Sequence, residues 1–169
     1  MNNPIIVKEY EDGSSVLYSK EKLKEVSIMN LFNFSEQEIF DFVAFNLIKQ
    51  SKLSAIKEIS EDHGGQELIK CKYRSEDGCK CAVGFLIPDN VYSPEFEDNG
   101  IPSILSKLKV ESFNNNELLA KLQMLHDSIP MGAKPIMWFE ELKIFASAND
   151  YIRFNFTHLK GYKNEVENN

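Results

Sequence analysis

Apolar residues along this chain recur at two spacings, and the switches between them mark out its elements. The clearest helix begins at Ser35. Ser35 and Glu38 stand at capping-box spacing, where each side chain reaches a backbone N–H that the first helical turn leaves without a partner. Phe34 and Ile39 occupy the flanking staple positions. Ile39, Phe42, Val43 and Leu47 follow the helical repeat, while Phe40, Phe45 and Ile48 widen the stripe, so the spacing predicts a helix buried on more than one side. Further along, Asn114-Asn115-Asn116 supplies a cap for a helix running to about Asp127, with Leu118, Leu122 and Leu125 as its stripe. Pro135 opens a last helix with Trp138, Leu142 and Phe145 on one face and Asn149 as a left-handed stop. Pro94 and Pro102 suit first helical positions, which predicts one turn over Pro94 to Glu97 and a short helix from Pro102 to Leu108.

Strand-like runs complete the pattern. Ile5-Ile6-Val7 and Val16-Leu17-Tyr18 flank the turn signal Glu11-Asp12-Gly13-Ser14 and predict an N-terminal hairpin. Lys20 to Lys24 reads as a charged connector or a short helix. The polar stretch from Glu58 to Glu67, with His63-Gly64-Gly65, reads as a loop. Tyr151 to Phe156 alternates as a strand, and residues 163–169 read as a frayed tail.

The central prediction is a hairpin over residues 68–87. In its first half Ile69, Cys71 and Tyr73 alternate with Lys70, Lys72 and Arg74, which predicts one buried and one wet face. In its second half Cys81, Val83, Phe85 and Ile87 share a face, and the small Ala82 and Gly84 leave room on the other for a helix or ligand. Parity decides the turn. A two-residue Asp77-Gly78 turn pairs Arg74 with Cys81 and puts the two apolar sets on opposite sides. A three-residue loop, Glu76-Asp77-Gly78, pairs Ser75 with Cys79, Tyr73 with Cys81 and Cys71 with Val83, and puts Gly78 where a left-handed residue closes a bulge. Cys71 and Cys81 then become diagonal neighbours on the core face, too far apart for an unstrained disulfide.

These elements define an α+β class: a central antiparallel hairpin or small sheet packed against about four helices, with an N-terminal hairpin. A chain of 169 residues fits one domain, here 1–162, with 1–30 as an N-terminal hairpin extension and 36–148 as the core. A net charge of −7 argues against non-specific nucleic-acid binding and is compatible with a basic partner. Met1-Asn2-Asn3-Pro4 lacks a signal-peptide pattern, no run is long enough for a membrane span, and three cysteines do not make a disulfide framework. Together these predict a cytoplasmic protein without membrane contact.

Candidate chemistry centres on the same hairpin. Cys71, Cys79 and Cys81, with His63 or His126 as a further ligand, form a weak metal pattern, because structural zinc prefers paired ligands two to four residues apart. The competing reading is that Cys71 and Cys81 are small buried hydrophobes and no cofactor is needed. Cysteine catalysis would need a base beside the thiol, and only His126 or His63 could provide it. His126-Asp127 closes a helix, where capping is the simpler role. No phosphate-binding glycine motif occurs. Lys72, Tyr73 and Arg74 on the wet face, near Gly84 and with His126 and Asp127, are candidates to hold a small anionic or nucleotide-like ligand, against the alternative of a solvated strand face.

The run Cys71-Lys-Tyr73-Arg74-Ser-Glu-Asp-Gly78-Cys-Lys-Cys81-Ala82-Val83-Gly84-Phe-Leu86-Ile87-Pro88-Asp89 resembles a motif in a group of small uncharacterised bacteriophage and prophage proteins. Phe40-Asp41-x-Val43, Gln50, Tyr92, Glu97, Leu119, Leu122-Gln123, His126-Asp127 and Trp138 look like the group's other landmarks, so the likeness spans roughly residues 36–148. Two positions depart from it: Asn46, where members carry His, and Ser75, where members carry Gly. The first departure weakens any metal scheme through that position. The resemblance implies a phage-type origin and a fold, and no reaction. By analogy with phage accessory proteins of this size, it implies a non-enzymatic binding protein that engages a host protein, including in counter-defence, or sequesters a small ligand. A Cys/His metal protein or small hydrolase is the alternative.

Overall fold

The computed structural model describes residues 4–20, 22–110, 116–150 and 152–160. It is an α+β fold with two small antiparallel sheets. Strands β1 (Ile5–Glu9), β2 (Ser14–Tyr18) and β5 (Phe156–Lys160) form one sheet in the order β1-β2-β5. Strands β3 (Ala55–Ser60) and β4 (Gln66–Cys71) form the other. Helices α1 (Glu36–Gln50), α2 (Ile101–Lys107), α3 (Asn116–Ser128) and α4 (Pro135–Ala148) surround the core. No described helix is long and apolar enough to cross a membrane.

The N-terminal hairpin forms as its pattern predicts, with Gly13 left-handed in the turn at φ 76°. Helix α1 starts at the expected capping box: Ser35 accepts from the Glu38 N–H, and Glu38 accepts from the Ser35 N–H at 2.9 Å. Its wide stripe is buried, with Ile39, Phe40, Val43, Leu47 and Ile48 out of contact with water. Phe40 stacks on Phe145 of α4 at 5.7 Å, which joins α1 and α4 across the core. The last helix begins at Pro135 and buries Trp138, Leu142 and Phe145 as expected. The Pro94 turn and the short helix after Gly100 also form.

Side chains of α1 hold irregular backbone in place. Gln37 brackets Arg153, donating to its carbonyl at 2.7 Å and accepting from its N–H. Gln50 brackets Lys80 in the same way, at 2.9 Å in both directions. Buried Asp41 accepts from Tyr18 Oη at 2.9 Å, Lys20 Nζ at 3.0 Å, Gln37 Nε2 at 2.8 Å and Asn155 Nδ2 at 3.0 Å. One carboxylate thus ties α1 to β2 and to the approach of β5, and four donors compensate its removal from water.

Several expectations are corrected. The stretch from Glu58 to Glu67 is not a loop: it contains the second half of β3, a 3₁₀ turn over Glu61–His63 with left-handed Gly64, and the start of β4. Its polar composition fits because this hairpin buries little, so no apolar period was required of it. Between Lys20 and Lys24 no helix occurs among the described residues; instead a 3₁₀ stretch over Ile28–Asn33 precedes α1. The last strand lies at Phe156–Lys160 rather than before Phe156, because β5 must pair with β2 from Tyr18↔Phe156 to Ser14↔Lys160. Asn149 is not left-handed, at φ −115°; it stops α4 by donating both its N–H and its Nδ2 to the Phe145 carbonyl. The cap residues Asn114 and Asn115, Tyr151 and the 163–169 tail lie outside the described residues.

Candidate functional site

The predicted central hairpin is half right. Its turn and register form: Ser75 N–H donates to Cys79 at 3.0 Å, Arg74 bridges Lys80, and Cys81 N–H donates to Tyr73 at 3.3 Å. Gly78 is left-handed at φ 81°, as the three-residue loop requires. Beyond Cys81 the ladder stops. Residues 82–83 turn and Gly84–Leu86 forms a 3₁₀ turn, so no second strand exists and Cys71 never meets Val83. Cys71 pairs instead with Ala55 across β3–β4.

Glu97 explains the break. Its carboxylate accepts from the N–H groups of Tyr73 at 3.1 Å and Arg74 at 3.0 Å, and from Tyr92 Oη at 2.9 Å. One side chain takes the Tyr73 donor that would otherwise continue the ladder to Cys81, together with the Arg74 donor that points away from it. Gly84 closes against the same segment. A Cβ there would stand 2.1 Å from the Tyr73 carbonyl oxygen, so the room its small size leaves is filled by backbone rather than by a ligand.

The basic strip is only partly in water: Lys70 is partly exposed, while Lys72 and Arg74 are largely covered. Lys70 pairs with Asp98 at 2.7 Å, and Lys72, 15 % exposed, lies 3.6 Å from the same carboxylate. Arg74, 17 % exposed, pairs with Asp89 at 2.8 Å, donates to the Ile87 carbonyl at 2.6 Å and lies 4.3 Å over the Tyr92 ring. Tyr73 Oη donates to the Asn99 carbonyl at 2.7 Å, and the Tyr73 ring lines a largely apolar cleft of about 550 Å³ with Ile101, Pro102, Ala120 and Gln123. Lys72, Arg74 and Gly84 are thus each engaged within the protein, and His126 and Asp127 lie in a separate cluster with Cys71.

That cluster joins the end of β4 to the end of α3. One ligating atom each from Cys71, His126 and Asp127 lies within 4.8 Å of the other two. His126 is fully buried beside Trp138. Its Nε2 accepts from the Ser54 N–H at 3.3 Å, which leaves the proton on Nδ1, 2.9 Å from Asp127 Oδ1. Gln123 Nε2 donates to the same oxygen at 2.7 Å. Burial, and then the Asp127 carboxylate, push the Cys71 thiol up to about 12.

The other two cysteines fall outside this group, although Cys81 lies beside Gln123 and within reach of the Asp127 charge. Cys81 is fully buried, its sulfur accepts from the Gly84 N–H at 3.3 Å, and burial pushes its thiol up to about 12. Cys79 is buried in the turn and its thiol is raised, first by burial and then by Asp77. His63 lies at the tip of the β3–β4 hairpin, at the far end of β4 from Cys71, roughly 20 Å along an extended strand. Of the sequence candidates, the fold brings Cys71, His126 and Asp127 together and leaves Cys79, Cys81 and His63 outside that group. Of the residues that orient the cluster, Gln123 stands out in the sequence only through the resemblance, and Ser54 carries no signal until β3 is placed.

Comparison of the chain with protein-family models, with curated proteins and with solved structures finds no match.

Proposed function

We propose that this chain is a non-enzymatic binding protein that engages another protein through the β3–β4 hairpin. One observation carries the reading: the hairpin packs chiefly on itself and holds apolar side chains in water. Ile59 is 75 % exposed, Ile69 52 % and Leu68 40 %. A two-stranded hairpin is marginal in water by itself, and both of its edges lack a strand neighbour among the described residues. An added strand from a partner would use those backbone groups, and its side chains would extend the face that holds Ile59 and Ile69, Leu68 lying on the other. Around them stand Glu58, Glu61, Asp62 and Glu67, with Lys57 already paired to Glu67 at 2.7 Å. The arm therefore suits an extended segment flanked by basic residues, in keeping with the net charge of −7.

A catalytic cysteine finds little support, because all three thiols are raised rather than lowered and so are held protonated. The phage or prophage setting, in which the partner is a host protein and the role is counter-defence, rests on the sequence resemblance alone.

A photo-crosslinking residue at position 69 tests the reading. The expected result is one crosslinked protein, whose purified form then binds the unmodified chain with an affinity that falls as salt rises. Ile59→Lys with Ile69→Lys should abolish that binding. Crosslinking to no discrete protein, or binding that survives the double substitution, would refute it.

A further inference from the structure

We infer that Cys71, His126 and Asp127 form a binding site for one zinc-like transition-metal ion, which clamps the root of the β3–β4 arm to the end of α3. The inference is independent of the partner reading, since the site lies at the root of the arm and none of the three exposed apolar side chains belongs to it.

The donor set and its spacing motivate the site. A thiolate, an imidazole nitrogen and a carboxylate oxygen are the three ligand types zinc takes, at about 2.3, 2.0 and 2.0 Å respectively. In a tetrahedral shell two such ligands of one ion therefore stand roughly 3.3–3.5 Å apart. The three atoms here lie within 4.8 Å of one another, so side-chain shifts of roughly 1 Å bring them onto a shared centre. The mixture of sulfur, nitrogen and a single carboxylate disfavours magnesium and calcium, which prefer all-oxygen shells.

Burial is graded across the cluster. His126 is fully buried, Cys71 half-buried, and the Asp127 side chain 41 % exposed. An ion held from below by His126 would keep its fourth position toward solvent, where a water completes a tetrahedron. Gln123 already orients the Asp127 carboxylate from outside the ligand set, as supporting groups do in metal sites.

Loading the ion moves two protons. The Cys71 thiol releases one to solvent as the metal–sulfur bond forms. The imidazole proton passes from Nδ1 to Nε2 as Nδ1 takes the metal. Both ring contacts then change: the metal replaces the hydrogen bond between Nδ1 and Asp127, and the Ser54 N–H loses Nε2 as its acceptor. Ser54 precedes β3 and its carbonyl accepts from the Lys72 N–H just after β4, so loading the site acts directly on the base of the arm.

Cobalt(II) titration of the full-length, chelator-treated protein tests the inference. One equivalent should produce a thiolate-to-cobalt charge-transfer band that zinc displaces. Cys71→Ser should remove the band, and Asp127→Asn should weaken binding by at least about tenfold. Cys79→Ser should leave both unchanged, and circular dichroism establishes that each variant is folded. Hydrogen exchange of the β4 amides should slow when zinc is bound. Absence of the band, or its persistence in folded Cys71→Ser, overturns the site. Zinc binding without slower exchange in β4 overturns the clamp.

Discussion

The position a Cβ would take on Gly84 lies 2.1 Å from the carbonyl oxygen of Tyr73. That oxygen also accepts from the Cys81 N–H, so the approach is fixed by the turn that ends the 75–79 loop. Gly84→Ala must push backbone against backbone, which costs about 3 kcal/mol. For a chain of this size that lowers Tm by roughly 10 °C. Gly78→Ala meets nothing within 4 Å and strains only the φ of 81°, so its cost should be about 1 kcal/mol. Thermal unfolding of the two variants side by side checks the ranking.

Asp41 gathers donors from β2, α1 and the approach to β5 in one buried position. Asp41→Ala leaves Tyr18 Oη and Asn155 Nδ2 without their acceptor. The expected loss is about 3 kcal/mol in chemical denaturation, with the sheet order β1-β2-β5 the first structure to loosen.

Thiol chemistry gives a signed pH dependence. Burial raises Cys71 and Cys81 to about 12, so the folded chain keeps protons that the unfolded chain loses first. Their contribution is complete below the unfolded thiol range and is lost as pH rises from about 9 toward 12. Stability should therefore fall across that window, and less so in Cys71→Ser. Alkylation by iodoacetamide at pH 8 should be slow for Cys71 and Cys81 in the native protein and fast after unfolding, as read by mass spectrometry.

Arg74 is used as a planar fork: one nitrogen on Asp89, another on the Ile87 carbonyl, and its face on Tyr92. Lysine cannot reproduce this set. Arg74→Lys should destabilise by about 1–2 kcal/mol. Lys70→Ala, which breaks an exposed pair with Asp98, should cost no more than about 1 kcal/mol in the same urea titration.

The sequence by itself determined what local chemistry determines. The Ser35–Glu38 capping box, the α1 stripe, the Pro135 helix start and the Gly13 turn depend on neighbours within a few residues, and all are legible in the spacing. The loop register around Gly78 was legible too, because parity links turn length to the faces of its flanks. Only the tertiary structure decided where that ladder ends. Glu97 reaches in from more than twenty residues away to take the Tyr73 and Arg74 amides, and β3, which reads as polar connector, captures Cys71. The site changed with them. A cysteine cluster within one hairpin became a three-residue cluster shared by β4 and α3, because Asp127 and Ser54 act on Cys71 and His126 through contacts that no sequence period encodes. The basic strip is paired with carboxylates for the same reason: Asp89 and Asp98, distant in pattern, are near in space.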